Sequence, residues 1–347
     1  MPHTCNAEWD AAERQVREWG TRVGLATGGD GEHRLARMGH GRMAGWLAPE
    51  ADRFDLGLLA QWSAFIAFVD DGIDHEQAGP KQVRELLDQL IGVLEHTDVP
   101  RAHPAVGALA ELWPRTLASA APGWASRFVR LYRQFADATH TEAELRATGR
   151  RLGLADYLVL RRHTITALPT IAVVERALPE HTALDDLRDI TADIIAWAND
   201  IASAKRELAE GTENLVGVLA REHGCDLPEA AAKARAMLAR RMDDFDAATG
   251  DPDRIALLRH VRDSALAWQG ETHRNAPGAA WHRPARHHAT DTALGGRGAR
   301  HGRGGRPVRQ PRAGIGAAAG PAARQQLPPT PTAAAYGLPA AAAIRRR

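Results

Sequence analysis

Apolar residues recur at spacings of three and four through most of the first 274 positions. One segment runs Leu56-Leu59-Ala60-Ser63-Ile66-Ala67, a second Val83-Leu86-Leu87-Leu90-Ile91-Leu94 and a third Leu187-Ile190-Ile194-Trp197-Ile201. One side of an α-helix repeats at that interval, so each segment predicts a helix whose apolar stripe faces a shared core. Breaks fall at Pro49, Gly79-Pro80, Pro100, Pro104, Pro122-Gly123, Pro179 and Gly250 to Pro252, cutting the chain into pieces of ordinary helix length. Runs that alternate apolar and polar residues, as a half-buried strand does, are absent. The prediction is an all-α bundle of roughly ten helices.

From Asn275 the periodicity gives way to Gly-Gly-Arg-Gly-Ala-Arg-His-Gly-Arg-Gly-Gly-Arg, then Ala/Pro tracts and Arg345-Arg346-Arg347. The net charge of +1 hides this division: 12 Arg and one acid, Asp291, lie in residues 275–347, leaving 32 bases against 42 acids in residues 1–274. Nine of the 20 Pro are there as well. With hardly any large apolar side chain, such a segment cannot offset the entropy of ordering, and a disordered tail is expected. Two domains of unlike material follow, a helical body over 1–274 and a low-complexity tail over 275–347. An arm binding nucleic acid through its phosphates is one use for the tail. A passive appendage, even a shifted reading frame in a GC-rich gene, is the favoured alternative, because the tail's aromatics are only Trp281 and Tyr336. Nucleic acid is therefore not an expected partner.

Cys5 and Cys225 are too few for a disulfide framework, and the opening Met-Pro-His-Thr-Cys-Asn-Ala-Glu lacks a signal peptide's basic and apolar regions, so a cytoplasmic location is expected. The most apolar stretch, Leu56 to Val69, is short and interrupted by Gln61 and Ser63, and no membrane partner is expected.

Candidate chemistry sits in two signatures. Asp70, Asp71 and Asp74 follow an apolar helix, where their charges repel one another and oppose the negative pole of the helix dipole. Bound cations relieve that, and Mg²⁺ suits the site because it takes oxygen ligands, keeps waters and is commonly completed by substrate phosphates; a solvated acidic turn is the plainer alternative. In the second signature Asn199, Ser203 and Glu207 are spaced four and four. That spacing sets a carboxamide, a hydroxyl and a carboxylate along one helix stripe, able to converge on one ion. A surface polar stripe is the alternative, but the preceding turns, Ile194-Ile195-Ala196-Trp197-Ala198, are apolar.

At these residues the chain resembles the bacterial class I terpene synthases, or terpene cyclases. Asp70-Asp71-Gly72-Ile73-Asp74 matches the family's DDxxD motif and Asn199 to Glu207 its ND(L/I/V)xSxx(K/R)E motif, with Tyr157 to Thr164 between them. The similarity runs from about residue 15 to 274. It implies a helical barrel enclosing a central apolar cavity, in which three Mg²⁺ ions hold the diphosphate of an acyclic prenyl substrate. Asp70, with Asp71 and Asp74, would hold two ions and Asn199, Ser203 and Glu207 the third. Arg162, second of an Arg-Arg pair, would sense the diphosphate, with Ile165 and Thr166 at the linker and effector positions. Arg206 and Arg274 would also contact diphosphate. The chain departs from the family at Asn275, where a Tyr usually follows the Arg, and in the 37-residue spacing from Arg162 to Asn199, read as a trimmed loop near Pro179 to Leu184.

Positions three, four and seven before Asp70 are Ala67, Ile66 and Ser63, which with Ile165 are expected to line the pocket. That wall lacks aromatic rings, so other helices are expected to supply them; Phe65, Phe68 and Trp197 read as core and Lys205 as surface. The expected activity is a terpene cyclase acting on farnesyl diphosphate, as a monomer or homodimer, with geranyl or geranylgeranyl diphosphate as alternatives. A chain-elongating prenyltransferase would need a second DDxxD. A non-catalytic helical protein with a basic nucleic-acid-binding arm is the rival from another class.

Overall fold

The computed structural model describes residues 5–26, 31, 33, 35–36, 38–75, 78–178 and 184–271; at Asp71, Asp74, His75 and Glu271 it describes the backbone alone. The tail over 275–347, Arg274 and most of the Pro179–Leu184 loop lie outside those residues. Twelve helices are described: α1 (Trp9–Arg22), α2 (His40–Leu47), α3 (Arg53–His75), α4 (Pro80–Leu94), α5 (Pro104–Leu117), α6 (Trp124–Thr148), α7 (Leu154–Thr164), α8 (Ala167–Val174), α9 (Asp185–Glu210), α10 (Leu215–His223), α11 (Leu227–Asp246) and α12 (Pro252–Glu271). No strand occurs among the described residues. The excess over ten comes from short helices such as α2 and α8, eight residues each, too brief to display a repeating stripe.

The punctuation acts as expected. Pro80 and Pro104 open α4 and α5, where a missing N–H costs nothing and a fixed φ suits the first turn. The three periodic segments fall inside α3, α4 and α9, and their apolar positions are largely buried. Neighbour relations close on themselves: α2 packs on α3, α3 on α8, α8 on α9, α9 on α12 and α12 back on α2. A closed ring of helices is a barrel, and α8 is the stave between the two helices that carry the acidic signatures.

Two features hold the staves near the site. An aromatic column descends α6, with Trp124 stacked on Phe128 at 4.9 Å, Phe128 on Tyr132 at 6.0 Å and Tyr132 edge-on to Phe135 at 5.4 Å. Rings three or four apart lie on one helix face, and each buries a large apolar area. At the end of α8, Glu175 is 1 % exposed and accepts from Arg127 Nη1 at 2.9 Å and from Arg188 Nε and Nη2 at 2.9 and 3.0 Å. One buried carboxylate thus ties α6, α8 and α9 together. No described helix is long and apolar enough to cross a membrane, and both cysteines are free thiols.

Candidate active site

Helix α3 extends through the first acidic signature to His75, so positions 70, 71 and 74 belong to the last turns of a helix and not to a loop. Asp70 is half-buried; the side chains of Asp71 and Asp74 are outside the described residues. Just before Asp70, Ile66 and Val69 line a pocket with Tyr132 and Phe135 of α6, Thr166, and Pro169 of α8. Ile66, one of the expected lining residues, thus shares this pocket with two rings of α6.

The Ser63 Oγ lies 2.9 Å from His40 Nδ1 and donates to Met43 Sδ at 3.2 Å, facing α2. Residues advance about 100° around a helix, and the pocket faces the edge between Ile66 and Val69, which leaves Ser63, with half-buried Ala67, to one side. Ile165 packs against the cluster of Ala167, Leu168, Ala192, Ile195 and Ala265. Phe65 and Trp197 are core, Phe68 packs edge-on against His103, and Lys205 is exposed.

Between α7 and α8 the chain breaks at Ile165 and Thr166. Thr166 has φ +63°, a left-handed conformation that a β-branched residue adopts only under constraint. The break frees α8 to start in a new direction and sets Thr166 on the pocket wall. Its Oγ1 donates to the Ile165 carbonyl, and its own carbonyl accepts from Thr170 Oγ1 at 2.9 Å.

The second signature lies on one continuous helix. Asp185 and Asp186 in the first turn of α9 complement its positive pole, and Gly211 ends it at φ +78°, a conformation costly for any residue with a Cβ. Ser203 is buried and donates to the Asn199 carbonyl at 2.8 Å, which leaves its oxygen lone pairs for a cation. Asn199 Oδ1 accepts from Arg161 Nη2 at 3.0 Å. Glu207 accepts from Arg206 Nη2 at 3.2 Å and from Asn214 Nδ2 at 2.8 Å.

Behind this face lies a network anticipated only as motif letters. Asp200, fully buried, accepts from Tyr157 Oη at 2.6 Å, Arg161 Nε at 2.9 Å and the Leu215 N–H at 3.1 Å. Burial pushes its carboxyl above the ordinary 3.8, opposed by Arg161 and the Tyr157 hydroxyl. Burial also drives the Tyr157 phenol well up, so it stays a donor. Burial works against the Arg161 charge, but Asp200 and then Tyr157 and Glu207 outweigh it and raise its pKa. Polar residues paired inside an apolar helix stack were the available signal.

Arg161 therefore faces Asn199, and its neighbour Arg162 points elsewhere. Arg162 donates through Nε and Nη2 to the two Asp193 oxygens and through Nη1 to Asp189 at 2.9 Å. Arg241 of α11 binds the same Asp193. Arg206 sits beside Glu207 and Glu210, and Arg274 is outside the described residues.

The six expected metal ligands offer only oxygen, the donor a hard divalent cation takes. Among the described residues no three His, Cys, Asp or Glu side chains form a metal cage, and Mg²⁺ does not require one when phosphates and waters complete its shell. The residues present fit such an ion.

Comparison with known proteins identifies the family. The family described as "Terpene synthase family 2, C-terminal metal binding" matches residues 61–244, which include both signatures. Pristinol synthase of Streptomyces pristinaespiralis is 29% identical over 307 residues, 79% of this chain and 82% of that protein. The (+)-T-muurolol synthase of Roseiflexus castenholzii, described as (2E,6E)-farnesyl diphosphate cyclizing, is 30% identical over 249 residues, 68% of this chain and 76% of that protein. In three dimensions the crystal structure of a-eudesmol synthase superposes with a TM-score of 0.67 at 24% identity, covering 78% of this chain and 96% of that one, so the fold is that of the class I terpene synthases. With fold, motifs and sequence in agreement, the chain belongs to the terpene synthase family and is an enzyme of that family.

Proposed function

We propose that the chain is a Mg²⁺-dependent class I cyclase that ionises farnesyl diphosphate and closes the resulting cation to a sesquiterpene hydrocarbon or alcohol. What carries this reading is the polar face of α9, where Asn199, Ser203 and Glu207 line up in front of a buried Asp200, Arg161 and Tyr157 network. Support for the farnesyl chain comes from the relative named for cyclising farnesyl diphosphate.

Asp70, with Asp71 and Asp74, would hold two Mg²⁺ ions, and Asn199, Ser203 and Glu207 would hold a third. Bound Mg²⁺ supplies positive charge that stabilises the departing diphosphate. The protein's part is to bind and orient that group through Arg162, Arg206 and Arg274 while the allylic C–O bond breaks and its electron pair leaves with the diphosphate. Ile66, Val69 and Pro169 exclude water that would quench the cation. Tyr132 and Phe135 offer ring faces to it, and burial raises the Tyr132 phenol pKa, which keeps that ring neutral.

Incubation of purified protein with C10, C15 and C20 prenyl diphosphates and Mg²⁺, with volatile products read by mass spectrometry, tests the proposal. Cyclised product from the C15 substrate, abolished in Asp70→Ala and in Glu207→Ala, is expected. Product unchanged in both variants contradicts the metal assignment, and product from C20 or C10 alone moves the substrate.

A further inference from the structure

We propose that Asn214, beyond the second signature, is a positioning residue that fixes the Glu207 carboxylate for metal binding; the inference rests on the metal reading above. Asn214 is fully buried, with 0% exposure. It stands immediately before α10 in an extended conformation, and its Oδ1 caps that helix by accepting from the Val216 N–H at 2.9 Å. An N-cap needs only that oxygen, so the amide nitrogen is left for other work. Its two hydrogens go to α9, one to the Asp200 carbonyl at 2.9 Å and one to Glu207 Oε2 at 2.8 Å.

One rigid amide thus spans positions 200 and 207 of the same helix. The turn makes this possible: left-handed Gly211 stops α9, the Thr212 N–H closes on the Glu207 carbonyl at 2.9 Å, and the chain doubles back over the last turn. A glutamate near a helix end has three side-chain torsions to immobilise before it can ligate, and a buried donor on one oxygen removes much of that freedom. Oε2 keeps a second lone pair, and Oε1 contacts the half-buried Arg206, so the carboxylate is held without being saturated. Outer-shell donors of this kind orient ligands and are worth about 10- to 100-fold in metal affinity.

Asn214→Ser and Asn214→Thr separate capping from positioning, because each keeps a hydroxyl able to cap α10 while removing the amide N–H groups that reach Glu207 and the Asp200 carbonyl, the latter already within the body of α9. The measurement is the thermal upshift of the full-length protein by Mg²⁺ in fixed inorganic diphosphate, titrated to half-maximal effect, with Glu207→Gln as reference. Expected are variants that melt near the wild type without ligand yet need about 10- to 100-fold more Mg²⁺. Half-saturation within about twofold of wild type overturns the proposal, as does collapse of both variants without ligand, which assigns Asn214 to the turn alone. If Glu207→Gln also titrates like the wild type, the metal reading itself fails; if it loses the upshift and the Asn214 variants do not, only the positioning role falls.

Discussion

Arg162 grips Asp193 with both arms of its guanidinium, Nε at 2.7 Å and Nη2 at 2.8 Å, while Arg241 binds the same carboxylate from α11. The fork matches a carboxylate as it matches a diphosphate, so the residue that resemblance makes the diphosphate sensor is held ready by an internal stand-in. Arg162→Gln is expected to lower turnover by about 100-fold, as loss of one preorganised donor does, while Arg241 keeps Asp193 paired and the fold intact. Steady-state kinetics beside a melting curve check this; full turnover in a folded variant removes Arg162 from the reaction.

Thr166 stands at φ +63° on the pocket wall. Glycine takes that conformation freely but loses more entropy on folding, and the two effects offset to within about 1 kcal/mol. Thr166→Gly should therefore melt close to the wild type while its product mixture shifts, because a methyl and a hydroxyl leave the pocket. Gas chromatography of the products reads the second effect; an unchanged mixture takes Thr166 off the substrate.

Glu175 pairs with both Arg127 and Arg188 in the interior. Removing one member of a buried ion cluster leaves uncompensated charge, at a cost of about 3–5 kcal/mol. Glu175→Ala should lose that much in chemical denaturation, far more than Asp10→Ala, whose pairing with Arg14 is well exposed and contributes about 1 kcal/mol or less.

His163 follows Arg162 in the last turn of α7. Burial lowers its pKa from the ordinary 6.5, Arg162 lowers it further and Asp193 opposes. The folded protein then binds fewer protons at this site than the unfolded chain, so its contribution is fully present above pH 6.5 and is lost as pH falls toward the depressed value. Denaturation midpoints should rise with pH up to that point, and His163→Gln should flatten the rise; an unaltered slope would assign it to other groups.

Much of this was legible in the chain. Three- and four-residue spacing gave α3, α4 and α9 with their buried faces, and proline gave the starts of α4 and α5, because both signals are local. Helical phase relative to Asp70 does not say which edge of α3 meets α6 and α8, nor that the Ser63 Oγ meets His40 and Met43 of α2; packing decides that. Asp193, Glu175 and Asn214 went unread for a related reason: each carries meaning only through partners 31, 48 and 7 residues away in sequence, Arg162, Arg127 and Glu207.

The central claim is that α3 and α9 jointly hold a metal-bound diphosphate, and anomalous diffraction from crystals grown with Mn²⁺ and inorganic diphosphate tests it most directly. The account predicts metal peaks bonded to Asp70 on one side and to Asn199, Ser203 and Glu207 on the other, bridged by one diphosphate. Metal bound at only one of these helices, or Asp70 and Glu207 facing separate solvent spaces, would contradict it.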